Sequence, residues 1–118
     1  MDEDLETPFD FVRAVEDAIA SVPPELRGQM SNVGIVIEEE PPGGRPLLGL
    51  YQGVPLTRRG SFYGAVLPDK ITIYRGPIER IAAGDPERLR ALVRRVVRHE
   101  IAHHFGISDE RLVEIDRY

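Results

Sequence analysis

The spacing of hydrophobic and polar positions changes along the chain, and each change marks an element. Phe11, Val12, Val15, Ala18, Ile19 and Val22 recur at the i, i+3, i+4, i+7 interval of one buried helical face. Ahead of them, Thr7 suits an N-cap, Pro8 a first helical position and Asp10 a first turn, so the spacing predicts a helix from Pro8 to Ala20. PPELRG adds a short helical turn or loop ended by Gly28. NVGIVIEEE then concentrates apolar, mostly β-branched residues at Val33, Ile35, Val36 and Ile37. It reads as a strand buried on both faces and ended by Glu38, Glu39 and Glu40. PPGGRP is a loop. LLGLYQG and SFYGAVL are further strand candidates on either side of the connection VPLTRRG, and DKITIYRG alternates cleanly, with Ile71 and Ile73 opposite Thr72 and Tyr74. The pattern thus predicts four short strands before residue 76.

Helical spacing returns after that. GPIERIAAGD is a short helix opened by Pro77 and closed by Gly84. Asp85 caps the main helix, Pro86 takes its first position, and the helix continues to His104 with Gly106 as a left-handed terminator. Ser108 caps a final short helix in which Leu112 and Ile115 turn inward. On the main helix Leu89, Leu92, Val93, Val96 and Val97 form an apolar stripe, and Arg90, Arg94, Arg95 and Arg98 lie around the other side. One turn further the stripe reaches Glu100 and His103, with His99 and His104 on its borders. A carboxylate buried without a partner costs several kcal/mol, so Glu100 in that row calls for a compensating group.

Composition narrows what that group can be. The chain has 118 residues, 42% hydrophobic and 30% charged, which suits one core and a single domain over residues 1–118. A formal charge of -5 argues against a nucleic-acid partner. Cysteine is absent, so any metal must be held by His, Asp or Glu. MDEDLETPFD is acidic where a presequence is basic, and no apolar run approaches the roughly 20 residues that span a bilayer. A soluble, cytoplasmic protein without a membrane partner is expected; its oligomeric state is open.

RHEIAHHFGISDERL, residues 98–112, then supplies the chemistry. Imidazoles four residues apart on a helix have Cβ atoms about 5–6 Å apart. His99 and His103 can therefore share one tetrahedral zinc ion at about 2.0–2.1 Å. Glu100 sits where it can reach a water on that ion, the H-E-x-x-H arrangement of a metal site with a general base. A catalytic zinc takes a third protein ligand and keeps one open position. Gly106 reverses the chain, and Asp109 is the nearest side chain able to return to the ion, although an acid beside a Ser108 cap also suits the helix dipole. Zinc would lower the pKa of its water to about 7, and Glu100 would pass the proton to a leaving amine. Two histidines and a carboxylate also suit other divalent ions. His104 reads as a core or supporting histidine. Tyr51, Tyr63, Tyr74 and Arg75 are candidates to stabilise an oxyanion as well as ordinary strand residues, and Arg58 and Arg59 read as a solvated pair. An edge strand from DKITIYRG or LLGLYQG could pair with an extended peptide.

HEIAHHFGISDERL resembles the signature of the minimal zincin-like metallopeptidases, a small bacterial family. The resemblance extends through EEEPP, LLGLYQGVPLTRRG and LPDKITIYRGPIE to nearly the whole chain. The wider pattern H-E-x-x-H-x-x-G-x-x-D is similar to that of snapalysin-type metzincins. The resemblance implies an α+β zincin-like fold, with a small mixed four-stranded sheet packed on helices and its edge strand facing the metal. It implies His99, His103 and Asp109 as zinc ligands and Glu100 as the base. One departure stands out: metzincins carry a Met-turn after the third ligand, whereas Met1 and Met30 both precede the motif. The implied function is zinc-dependent hydrolysis of peptide bonds in short peptides or unfolded proteins. Two alternatives are a non-catalytic, zinc-stabilised peptide-binding or regulatory module, and a metal-dependent hydrolase of another bond, such as the histidine-rich endoribonucleases.

Overall fold

The computed structural model describes residues 3–30, 32–53 and 68–108. Helix α1 (Glu3–Ala20) and the short α2 (Pro24–Arg27) precede strand β1 (Val33–Glu38), a 3-10 turn at Pro42–Gly44 and strand β2 (Gly49–Gln52). Strand β3 (Asp69–Tyr74) runs directly into α3 (Arg75–Ala82), and α4 (Pro86–His104) follows. The described residues form a small α+β unit whose three-stranded mixed sheet has the order β1-β3-β2. β1 pairs parallel to β3 with Ile35 opposite Ile71, and β2 pairs antiparallel with Tyr51 opposite Ile71. Four strands were expected and three are observed; the fourth candidate, SFYGAVL, lies outside the described residues. So do Arg58, Arg59, Tyr63, Asp109 and the final helix after Ser108.

Helix α4 holds the layers together, packing against α1, α3, β2 and β3. Its start follows from local chemistry. Asp85 Oδ1 accepts hydrogen bonds from the backbone N–H of Glu87 (3.0 Å) and Arg88 (3.3 Å), and Pro86 occupies a position that needs no donor. Its buried face carries Val93, Val97 and Ile101 against Phe11, Val15 and Ala18 of α1, Ile71 and Ile73 of β3, and Ile78 of α3. No described helix is long and apolar enough to cross a membrane.

Three local expectations are corrected. Helix α1 begins at Glu3, so Thr7 and Pro8 lie inside it and Thr7 is not its N-cap. The sequence is acidic where the helix opens, and negative charge suits the positive end of a helix dipole. On the same helix Val12 is exposed and Ala14 is buried. At 100° per residue Val12 falls roughly 90° from the centre of the stripe set by Phe11, Val15, Ala18 and Val22. Finally, β1 is not buried on both faces. It lies at one edge of the described sheet, with Val33, Ile35 and Ile37 half-covered and Gly34, Val36 and Glu38 exposed. The strand buried on both faces is β3, where Ile71, Thr72, Ile73 and Tyr74 are all covered.

The carboxylates after β1 tie it to α3. Arg75 forms a two-pronged ion pair with Glu39, Nε to Oε2 at 2.8 Å and Nη2 to Oε1 at 2.9 Å, and also reaches Glu79 at 3.2 Å. Arg80 grips Glu40 in the same way, at 2.8 and 3.1 Å. The hydrogen bonds from Arg80 hold the Glu40 carboxyl below its ordinary pKa. A carboxyl with a lowered folded-state pKa adds stability above its unfolded-state value and loses it as pH falls through the folded value. Arg80→Gln should therefore move the Glu40 titration, followed by carboxyl-carbon NMR, to higher pH. It should also weaken the loss of stability on acidification; an unmoved titration would refute this ion pair.

Candidate metal centre

The last two turns of α4 carry every histidine of the chain, and the helix sorts them by face. Counting 100° per residue from Val93, His104 lies about 20° away, at the centre of the buried row, and Glu100 lies about 20° to the other side. His103 and His99 lie about 80° and 120° away on one flank. Burial follows that order: His104 is 1% exposed and Glu100 7%, while His99 and His103 are half-buried. The stripe was expected to run through Glu100 and His103 with His104 on a border. Instead His104 takes the core position and His103 joins His99 on the flank.

On that flank the two imidazoles stand edge to face with ring centroids 4.8 Å apart. Two imidazoles sharing a tetrahedral zinc at about 2.0–2.1 Å have centroids roughly 5 Å apart, and this pair has that spacing. The His103 ring is also oriented. Its Nδ1 lies 2.8 Å from the carbonyl of Ile107, across the turn in which Gly106 adopts φ 86°. A carbonyl can only accept, so this Nδ1 carries the proton and the neutral ring keeps its lone pair on Nε2. That backbone partner is the kind that fixes the tautomer of metal-binding histidines. Among the described residues no group of three His, Asp or Glu side chains converges as a metal site, and Asp109, the expected third ligand, lies outside them.

Glu100 and His99 open onto a cavity of about 410 Å³. Pro46, Leu47, Leu48 and Gly49 form its far wall, and Leu92, Arg95 and Val96 complete the α4 side. The wall stands close because β2 begins with glycine. A Cβ on Gly49 would lie 2.9 Å from Val96 Cγ1 and 3.1 Å from Glu100 Cγ. Zincins generally bind zinc, and the family model of the zincin-like metallopeptidases matches residues 30–118. The chain belongs to that family. A solved structure similar to this zincin-like chain is a conserved hypothetical protein from Thermo thermophilus, with 27% sequence identity and a TM-score of 0.59. The likeness covers 85% of this chain and 94% of that one. No curated protein matches the sequence.

The oxyanion candidates that can be placed are engaged elsewhere in this zincin-like fold. Tyr51 Oη donates to Asp69 Oδ2 at 2.7 Å, Arg75 is held by Glu39 and Glu79, and Tyr74 is buried. Sequence reasoning passed over two residues. Asp69 is fully buried, with its Oδ2 2.7 Å from His104 Nδ1. The alternation of β3 already placed it on the face of Ile71 and Ile73, where an acid is out of character. Gly49 carried the weaker signal of a glycine inside a strand, which marks close backbone approach. Gly49→Val should push β2 away from α4 or displace Glu100, lowering stability by about 1–3 kcal/mol. Denaturant unfolding checks this, and wild-type stability would show that the approach is not tight.

Proposed function

We propose that the protein is a zinc-dependent metallopeptidase acting on short peptides or unfolded proteins. His99, His103 and Asp109 hold one zinc ion and Glu100 serves as general base. The observation that carries this reading is the pairing of the two edge-to-face imidazoles with a carboxylate 7% exposed on the wall of an open cavity. When bound, zinc polarises the scissile carbonyl and makes water a stronger acid.

The chain's own residues divide the remaining work. His99 and His103 present ring nitrogens from adjacent turns, and the Ile107 carbonyl keeps the second ring in the ligating tautomer. Asp109 follows the Gly106 reversal and supplies the carboxylate of the set. Glu100 takes the proton of the attacking water and returns it to the leaving nitrogen. Its placement beside Val96 and against the β2 wall removes much of the solvent that would otherwise compete for it. Pro46, Leu47, Leu48 and Leu92 give the cavity an apolar lining that accepts a peptide side chain. We infer a cytoplasmic protein with no nucleic-acid or membrane partner.

Purified protein should contain one zinc per chain by elemental analysis and should cleave a peptide library. Glu100→Gln should retain the metal and lose about 10²–10⁴-fold in cleavage rate. Zinc retention with equal turnover by both proteins would end the general-base role. Zinc binding without any cleavage would support a non-catalytic peptide-binding module.

A further inference from the structure

The proposed ligands do not explain why the fold buries an imidazole and a carboxylate immediately behind them. Asp69 is 0% exposed and His104 1%. Their contact of 2.7 Å lies at the junction of α4 with the start of β3. A well-packed apolar pair is commonly as stable as such a buried polar pair, or more so. Core stability alone therefore does not account for it. The geometry supplies another role. Asp69 Oδ2 faces His104 Nδ1 and also accepts from Tyr51 Oη at 2.7 Å, so one oxygen joins β3, β2 and the end of α4. His104 is the final residue of α4 and follows His103. His99 lies one turn earlier, beside Val96 and Val97 in the well-buried part of the helix.

Helix ends lack intrahelical partners for their last carbonyls and fray first. The distance between His99 and His103 thus depends on whether the last turn is held against the sheet. We propose that Asp69, acting through His104, is a positioning residue for the metal centre. It holds the last turn of α4 so that His103 stays paired with His99 and the Gly106 turn leaves the helix in a fixed direction. This inference rests on the reading that His99 and His103 grip a metal.

The test separates positioning from stability. Zinc affinity is measured by competition with a chromophoric chelator, and folding by circular dichroism and melting temperature in EDTA. The wild type should bind one zinc per chain. The double substitution Asp69→Leu/His104→Leu replaces the polar pair by an apolar one. It should stay folded in EDTA while weakening zinc binding about 10–100-fold, the usual effect of removing a residue that supports a ligand. Should that protein not fold, Asp69→Asn decides, since it preserves shape but removes the charge that faces His104; it should weaken zinc binding about tenfold or more. Folded variants with wild-type zinc affinity would overturn the positioning role and leave the metal site standing. A wild type that takes up no zinc would overturn the metal site and this inference with it.

Discussion

The azimuth of α4 is the constraint on which the site depends. Val93, Val97 and Ile101 are buried between α1 and the sheet, so the helix cannot turn about its axis without opening voids on both sides. Once those residues are seated, the 100° step fixes where every later side chain points. His104 is driven into the core, Glu100 to the boundary beneath β2, and His99 and His103 to the same flank. The azimuth of His99 and His103 is therefore set by aliphatic packing on the adjoining face of the same helix. Its precision is that of the core.

The second wall of the site obeys a related constraint. β2 approaches α4 closely enough that Gly49 faces Val96 and Glu100 with no room for a side chain. The cavity opens beside that contact, where Pro46, Leu47 and Leu48 lead into the strand. Leu48 is bound to the sheet as well, its carbonyl accepting from Tyr74 N–H at 3.0 Å. The wall is thus an extension of sheet pairing, not a separate loop. Charges in such a place interact more strongly than in water because little solvent screens them, which raises the effect of any carboxylate positioned there.

Much of this could be read from residue order, and the failures share a cause. The main helix, its Asp85 cap and the Gly106 turn follow from local signals that tertiary contacts did not override. The H-E-x-x-H spacing likewise identified the flank pair. Misplaced features were those decided by neighbours distant in sequence. Val36 looks like a core residue until β1 is known to lie at an edge of the described sheet, and Val12 until the partner of α1 is known. His103 and His104 are adjacent, and a stripe drawn by eye cannot separate them. The 100° step counted from the seated core separates them, and Asp69, thirty-five residues away, receives the His104 ring and not that of His103. Only the parity of β3 could have pointed to it.

That pairing bears on why so small a domain departs from the rule that polar groups stay outside. Local pattern, strand alternation and core burial agree through most of α4 and β3, and they disagree at Asp69, Glu100 and His104. Conflicts of this kind are expected where function imposes a requirement that folding does not. Glu100 and His104 come from one row of one helix yet meet different surroundings: a cavity wall for the first and a buried carboxylate for the second. An apolar residue at position 104 would fill the same space, but it would remove the hydrogen bond that ties the last residue of α4 to the start of β3. Aliphatic packing sets the azimuth of the helix body; a hydrogen bond to a strand holds the same rotation at the end, where a helix frays first. Because the flank histidines are separated by a single turn, rotation is the variable that a shared ligand would feel most.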